Sequence, residues 1–183
     1  MKRILGVVGS PRKNGNTHLL VSTVLDGARE RGATAKLVRL GKRKIDECDG
    51  CHDCWKEGRC HKDDDMRKLH KQVAKSDVIV FGTPVYWYGP TVAMKAFLDR
   101  FVYFNGPKNR PLLKATSAVL VVPFEEEDPS TADPLVTMFE KSLAYLEMPL
   151  VAKLLVPGVT KRGEVREHPE RLEEALRIGR ELV

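Results

Sequence analysis

The chain of 183 residues has four cysteines, and all four fall in one short run, "CDGCHDCWKEGRC" (48–60). Their spacing is C-x2-C-x2-C-x5-C. Thiols this close together do redox chemistry or bind metal, and four readings are open. Disulfides fit poorly in a reducing compartment. A C-x-x-C couple near about −270 mV stays largely reduced or only poised at a cytosolic potential of roughly −280 to −320 mV. Structural zinc usually takes two C-x2-C knuckles separated by a longer loop, unlike this spacing, although His52 and His61 add two further ligand types. Successive C-x2-C-x2-C is the compact arrangement that wraps an iron–sulfur cubane, with one more thiolate completing four. Gly50 and Gly58 permit the positive φ angles that such a wrap needs. The fourth reading is free thiols. His52 and His61 read as surface residues, Trp55 as a shield or an interface residue, and "DDD" (63–65) as the opening of a helix rather than a metal site.

A second motif, "GSPRKNGNT" (9–17), has the chemistry of an anion cradle. It precedes a helical pattern, and a helix start presents unpaired N–H groups and the positive end of the macrodipole. Gly9 and Gly15 let the backbone turn and approach a ligand. Ser10, Asn14, Asn16 and Thr17 can donate hydrogen bonds, and Arg12 and Lys13 add charge. Neither G-x-x-x-x-G-K-[ST] for a triphosphate nor G-x-G-x-x-G for a dinucleotide is present, so a monophosphate fits better. A third motif, "TPVYWYG" (83–89), offers flat apolar surface in Tyr86, Trp87 and Tyr88, on a loop whose course Pro84, Gly89 and Pro90 restrict.

Elements alternating between two periods must position these motifs. Strand-like runs occupy 3–9, 34–40, 77–83, 117–122 and 150–156, and helical runs 17–31, 63–76, 90–104, 133–147 and 169–183. The 34–40 run has one polar face and suits a sheet edge. Pro90 falls in the first turn of its helix. Asp133 is expected as an N-cap with Pro134 at the first helical position. Such alternation predicts an α/β fold, a doubly wound five-stranded parallel sheet with helices on both faces. Ligands then bind beyond the C-terminal ends of the strands, in the loops 9–16, 84–89 and 123–132. The connection 41–62, which carries the cysteines, reads as a loop without secondary structure of its own.

"GSPRKNGNT" together with "TPVYWYGPTVAMKAFLDR" (83–100) resembles the flavodoxin-like NADPH-dependent FMN reductases, and the cysteine run is similar to that of the iron–sulfur flavoprotein branch. The resemblance implies strand order 2-1-3-4-5 and a single FMN-binding domain over 1–183 with a cysteine-rich insertion at 41–62. It implies that Ser10, Arg12, Asn14, Asn16 and Thr17 surround the FMN phosphate and that Pro84, Val85, Tyr86 and Trp87 border the flavin. It also implies that Cys48, Cys51, Cys54 and Cys60 ligate a [4Fe–4S] cluster. The implied activity takes single electrons from a ferredoxin-like donor through the cluster to FMN and on to oxygen, peroxide or a quinone. Two alternatives stay open. One is an NAD(P)H-dependent FMN or quinone reductase without a cluster, the cysteines holding zinc or nothing. The other is a non-enzymatic electron carrier or zinc-stabilised binding module. The resemblance implies a homodimer or homotetramer, and no side chain stands out as a catalytic acid or base. Lys95 and Asp99 read as an i,i+4 helix pair. "PFEEEDPSTADP" (123–134) departs from the family, whose members often carry a glycine-rich or polar segment there. Three glutamates beside a reduced, anionic flavin would disfavour reduction unless they face solvent.

Composition agrees with a globular redox protein. The chain is 42% hydrophobic and 31% charged, with a net charge of +6 that suits an acidic donor. The basic residues are scattered without interleaved aromatics, which argues against nucleic acid. No apolar run is long enough for a bilayer, and a cytoplasmic location is expected.

Overall fold

The computed structural model describes residues 1–183. Five strands, β1 (Arg3–Val8), β2 (Thr34–Arg39), β3 (Val78–Gly82), β4 (Ser117–Pro123) and β5 (Leu150–Val156), form one sheet in the order β2-β1-β3-β4-β5. All four pairings are parallel, running from Arg3↔Thr34 at one edge to Pro123↔Val156 at the other. This is the flavodoxin-like order, whose switch point lies between β1 and β3. The three central strands are buried almost throughout, as strands covered on both faces must be. β2 and β5 alternate exposed and covered positions, as edge strands do.

Side chains alternate across the sheet and feed two cores. Val78 and Val80 of β3, with Ile4, Val8, Val119 and Val121, meet α1 (Asn16–Glu30) and α7 (Pro169–Glu181). Ile79 and Phe81, with Leu5, Val7, Leu120 and Val122, meet the helices of the opposite face. Those are α3 (Met66–Val73), α4 (Val92–Asp99), α5 (Val102–Asn105) and α6 (Asp133–Tyr145). Phe81, Phe97, Phe101 and Phe139 interlock there, with ring centroids 5.1–6.3 Å apart.

Four local departures from the sequence expectation matter. The 90–104 helix is two helices. Thr91 caps the first by accepting from Met94 N (3.3 Å), so Pro90 lies outside it, and the chain breaks at Arg100, whose side chain is drawn into a buried ion pair. α6 begins at Asp133 itself, because the turn Pro129–Ala132 runs straight into it and Ala132 takes the cap position. The three aspartates precede α3 rather than forming its first turn. Asp64 accepts from Met66 N and Asp65 from Lys44 N (both 3.0 Å). The cysteine run, finally, contains a helix, α2 (Asp53–Lys56).

The helices α1 and α7 cross backbone to backbone. A Cβ on Gly27 would lie 2.1 Å from the Leu176 carbonyl oxygen, and one on Gly179 would lie 2.0 Å from that of Val24. Neither obstacle is a side chain that could swing away. Gly179→Ala is therefore expected to destabilise the fold by about 1–3 kcal/mol or more, read as a lower denaturation midpoint at unchanged slope.

Candidate functional site

The loop after β1 turns back on itself to start α1. Gly9 N donates to Gly82 O (2.8 Å), fixing the end of β1 against β3, and Gly15 N donates to Arg12 O (3.3 Å). Asn14 takes the left-handed conformation (φ 54°), which Asn tolerates better than most residues. The N–H groups of Ser10, Lys13, Asn14, Asn16 and Thr17 make no hydrogen bond within the chain. Five free donors at the N-terminus of a 15-residue helix are what an anion requires. Ser10 and Thr17 are buried (3% and 2% exposed) and line a cavity of about 90 Å³. Arg12, Asn16, Pro84, Val85, Tyr86, Pro123, Phe124, Glu125, Val159 and Thr160 complete its wall. The donor set fits the phosphate of FMN. The volume is smaller than the roughly 300–1,000 Å³ of a whole cofactor pocket, so a ring system would lie over the rim.

Two of these side chains work on the protein rather than facing outward. Asn16 Nδ2 donates to Val159 O (3.3 Å) and Lys161 O (3.0 Å), and its Oδ1 accepts from Val165 N (3.2 Å). Arg12 Nη1 donates to Thr160 O (2.7 Å). They clasp the segment 159–165 to the cradle. That segment carried no recognisable motif, and only tertiary contact reveals it.

The β3 loop divides at Tyr86. Pro84, Val85 and Tyr86 reach the cavity. Trp87 and Tyr88 form the tip of a two-residue turn closed by Tyr86 N to Gly89 O (2.8 Å) and Gly89 N to Tyr86 O (3.0 Å). Both tip residues have positive φ (49° and 61°), as a type I′ turn demands, yet neither is the Asn or Gly that the turn favours. Each costs about 1–3 kcal/mol in backbone strain. Trp87 is 97% exposed and lies outside the cavity wall. In the acidic loop, Glu125 lines the cavity, and the Glu127 carboxylate closes over Gly158.

The cysteine loop hangs between α3 and α5. Gly50 (φ 70°), His52 (φ 60°) and Gly58 (φ 75°) take left-handed conformations that wind it. Trp55 Nε1 donates to Val102 O (2.9 Å), and buried Asn109 donates to Cys54 O and Gly58 O (both 3.3 Å). Cys54 is buried, Cys48 and Cys60 are half-buried, and Cys51 is exposed. Burial pushes the Cys54 thiol up, and charge on Cys60, Cys48 and Cys51 pushes it further, so the four sulfurs share one field. Cys51 Sγ lies 3.2 Å from His61 Nδ1, and His61 Nε2 lies 3.2 Å from Asp49 Oδ2. These three ligand atoms fall within 4.8 Å of one another, close enough for a single ion. The ligand atoms that converge here are those of Asp49, Cys51 and His61 rather than the four sulfurs, but the four free cysteines are the donor type that a cluster takes, and a cationic donor faces one of the sulfurs.

That donor is Arg100, which sequence reasoning left aside. It is 2% exposed, and its Nη2 donates to Cys60 Sγ (3.3 Å). Its Nη1 donates to Asp46 O (2.8 Å) and pairs with Asp64, a fully buried carboxylate. Burial works against that carboxylate. The Arg100 bond and the N–H groups of Asp46 and Met66 outweigh burial and hold its pKa below the usual range. At the far end of α4, Thr91 Oγ1 donates to Gly9 O (2.9 Å), and Thr91 N donates to Thr83 Oγ1 (3.1 Å). One helix thus abuts the anion cradle at its start and the cysteine loop at its end. Lys95 and Asp99, on its exposed side, form the expected i,i+4 pair at 2.6 Å.

Asn16→Ala would strand the buried Val165 N–H and free the segment 159–165. The expected loss is about 1–3 kcal/mol, checked by chemical denaturation. His70 hydrogen-bonds Arg100 O (3.1 Å) and stacks on Tyr103, and burial pushes its pKa down to about 4. The folded pKa lies below the unfolded value of about 6.5, so the unfolded chain takes the proton first. Stability from this residue is therefore full above pH 6.5 and falls as pH drops toward 4, by about 3 kcal/mol. Denaturation midpoints measured from pH 7 to pH 4 should show this slope, and His70→Phe should flatten it.

Sequence and structure comparisons agree with this geometry. The model of the NADPH-dependent FMN reductase family matches residues 2–156. An iron–sulfur flavoprotein of Archaeoglobus fulgidus is 35% identical over 112 residues, covering 61% of this chain and 50% of the relative. One from Methanosarcina thermophila is 32% identical over 120 residues, covering 66% and 62%. The chain spans about half the length of most of the curated relatives it matches. Among solved structures, an NAD(P)H:quinone oxidoreductase from Methanothermobacter marburgensis superposes with a TM-score of 0.79 at 15% identity, over 99% of this chain and 96% of that one. At that identity the likeness speaks for the fold. The chain belongs to the NADPH-dependent FMN reductase family, and the curated sequences it resembles at 32–36% identity are iron–sulfur flavoproteins.

Proposed function

We propose that the protein is an FMN-dependent redox protein of iron–sulfur flavoprotein type. It would exchange single electrons with a ferredoxin-like donor and reduce an acceptor such as oxygen, peroxide or a quinone. The observation that carries this reading is α4, which meets an anion cradle at Thr91 and a four-cysteine loop at Arg100. When bound, FMN supplies storage for two electrons, and a [4Fe–4S] cluster supplies one-electron exchange.

Each residue has a distinct part in this proposal. The side chains of Ser10 and Thr17 and the free N–H groups of Ser10, Lys13, Asn14, Asn16 and Thr17 hold the phosphate, with Arg12 adding charge from the rim. Asn14 shapes the turn, and Asn16 acts through its backbone N–H and its clasp on 159–165. Pro84, Val85 and Tyr86 border the flavin. Trp87 reaches it only if a second copy brings its own turn across, which accords with a homodimer or homotetramer burying Trp87, Tyr88 and Val92, all exposed here. Cys48, Cys51, Cys54 and Cys60 hold the cluster. Glu125 lines the cavity wall but, like Glu126 and Glu127, is exposed to solvent, so water and salt screen its charge and it would disfavour a reduced, anionic flavin only weakly. A domain reading of 1–183 as one FMN-binding unit with an insertion at 41–62 goes with this function.

The Asp49–Cys51–His61 trio favours one competing reading, in which the loop holds a zinc ion and reducing equivalents come from NAD(P)H. Protein prepared anaerobically should contain FMN, iron and acid-labile sulfide, and Cys60→Ser should bleach the iron–sulfur absorbance while FMN stays bound. FMN with zinc and no sulfide, together with rapid flavin bleaching by NADPH, would replace this proposal with the second reading.

A further inference from the structure

Arg100 is the largest of the fully buried side chains and one of the few buried charges. Stability alone does not call for it. A buried ion pair is often no better than apolar residues of the same volume, since both charges must leave water. Asp64 does not need the whole guanidinium either, because it already accepts from Asp46 N (3.0 Å) and Met66 N (3.0 Å). The Arg100 fork is divided instead. Nη1 serves Asp64 and the Asp46 carbonyl, while Nη2 reaches Cys60 Sγ at 3.3 Å and only grazes Asp64 Oδ1 at the same distance. An apolar residue could fill that volume but could not set a permanent positive charge against one sulfur. The guanidinium stays protonated at any accessible pH and has donors only, so its contact with the sulfur has a single polarity.

We infer that Arg100 is a positioning residue for the cysteine-held cluster, fixing Cys60 in the loop and raising the reduction potential by opposing the added negative charge. The inference rests on the proposed function and deepens it. Hydrogen bonds to ligand sulfurs and local charge are among the factors that set cluster potentials. A fixed cation in a poorly solvated wall acts more strongly than one in water. Asp64 and the backbone carbonyl of Asp46 orient the fork toward the sulfur, and His70 Nε2 donates to the Arg100 carbonyl, holding the backbone from which the side chain springs.

The test uses the full chain, reconstituted anaerobically with ferrous iron and sulfide, as wild type, as Arg100→Lys and as the neutral pair Arg100→Gln with Asp64→Asn. The neutral pair leaves no unpaired buried charge, and Arg100→Lys keeps the charge while losing the fork. Iron and sulfide content, iron loss to a chelator and a reductive titration followed by electron paramagnetic resonance are the readouts, with FMN content and thermal unfolding as controls for folding. The neutral pair is expected to shift the reduction equilibrium about tenfold toward the oxidised state, about 59 mV for one electron, and to lose iron about tenfold faster. Arg100→Lys is expected to lose iron faster than wild type with a smaller shift in potential. Wild-type potential and wild-type iron retention in either folded variant would overturn the inference alone. Wild-type protein that takes up no iron and sulfide would overturn the cluster reading and this inference together.

Discussion

A positive charge sealed inside the protein has to be answered, and the surroundings of Arg100 are arranged to answer it. Asp64 lies fully buried against the guanidinium, the Asp46 carbonyl takes a second bond, and the Cys60 sulfur takes a third. These three partners come from the segment between β2 and α3, which has little hydrophobic core of its own. It is held where it is because removing any partner would leave a charge or a strong donor unsatisfied in a dry environment. Asn109 and Trp55 secure the other side of the loop by the same logic, through backbone carbonyls of Cys54, Gly58 and Val102.

The helix that delivers Arg100 also reaches the other site. α4 is eight residues long, about 12 Å from end to end. Its cap residue Thr91 binds the Gly9 carbonyl, at the point where β1 gives way to the anion cradle, and Thr83 at the end of β3. Phe97 anchors its middle in the aromatic cluster of the core. The anion cradle and the cysteine loop are therefore set at a spacing fixed by the rigid length of one helix.

The anion cradle relies on unmade bonds. Its donors are backbone N–H groups with no partner in the chain, held open by Gly9, by the left-handed Asn14 and by the clasp of Asn16 on 159–165. Strain adds to this at the β3 loop, where Trp87 and Tyr88 occupy a turn that disfavours them and stand exposed beside the cavity. Local rules broken in this way gather at functional sites, because the rest of the fold is stable enough to enforce them.

The sequence by itself determined the strand and helix alternation, the apolar runs that became β1, β3 and β4 and the edge position of β2, since these follow from apolar periodicity. It also marked two candidate sites, because glycine, small donors and closely spaced thiols are rare enough to be read locally. Four things were decided only in three dimensions. Arg100, beside the Lys95–Asp99 pair that runs along the helix, turned inward to Asp64 and Cys60. Asn16 spent its side chain on a segment nearly 150 residues away. Trp87 left the cavity while Tyr86 stayed in it. The expected aspartate start of α3 became a partner for a buried guanidinium. Each depends on contacts between residues far apart in the chain, and no local pattern records which distant donor a buried acceptor will find.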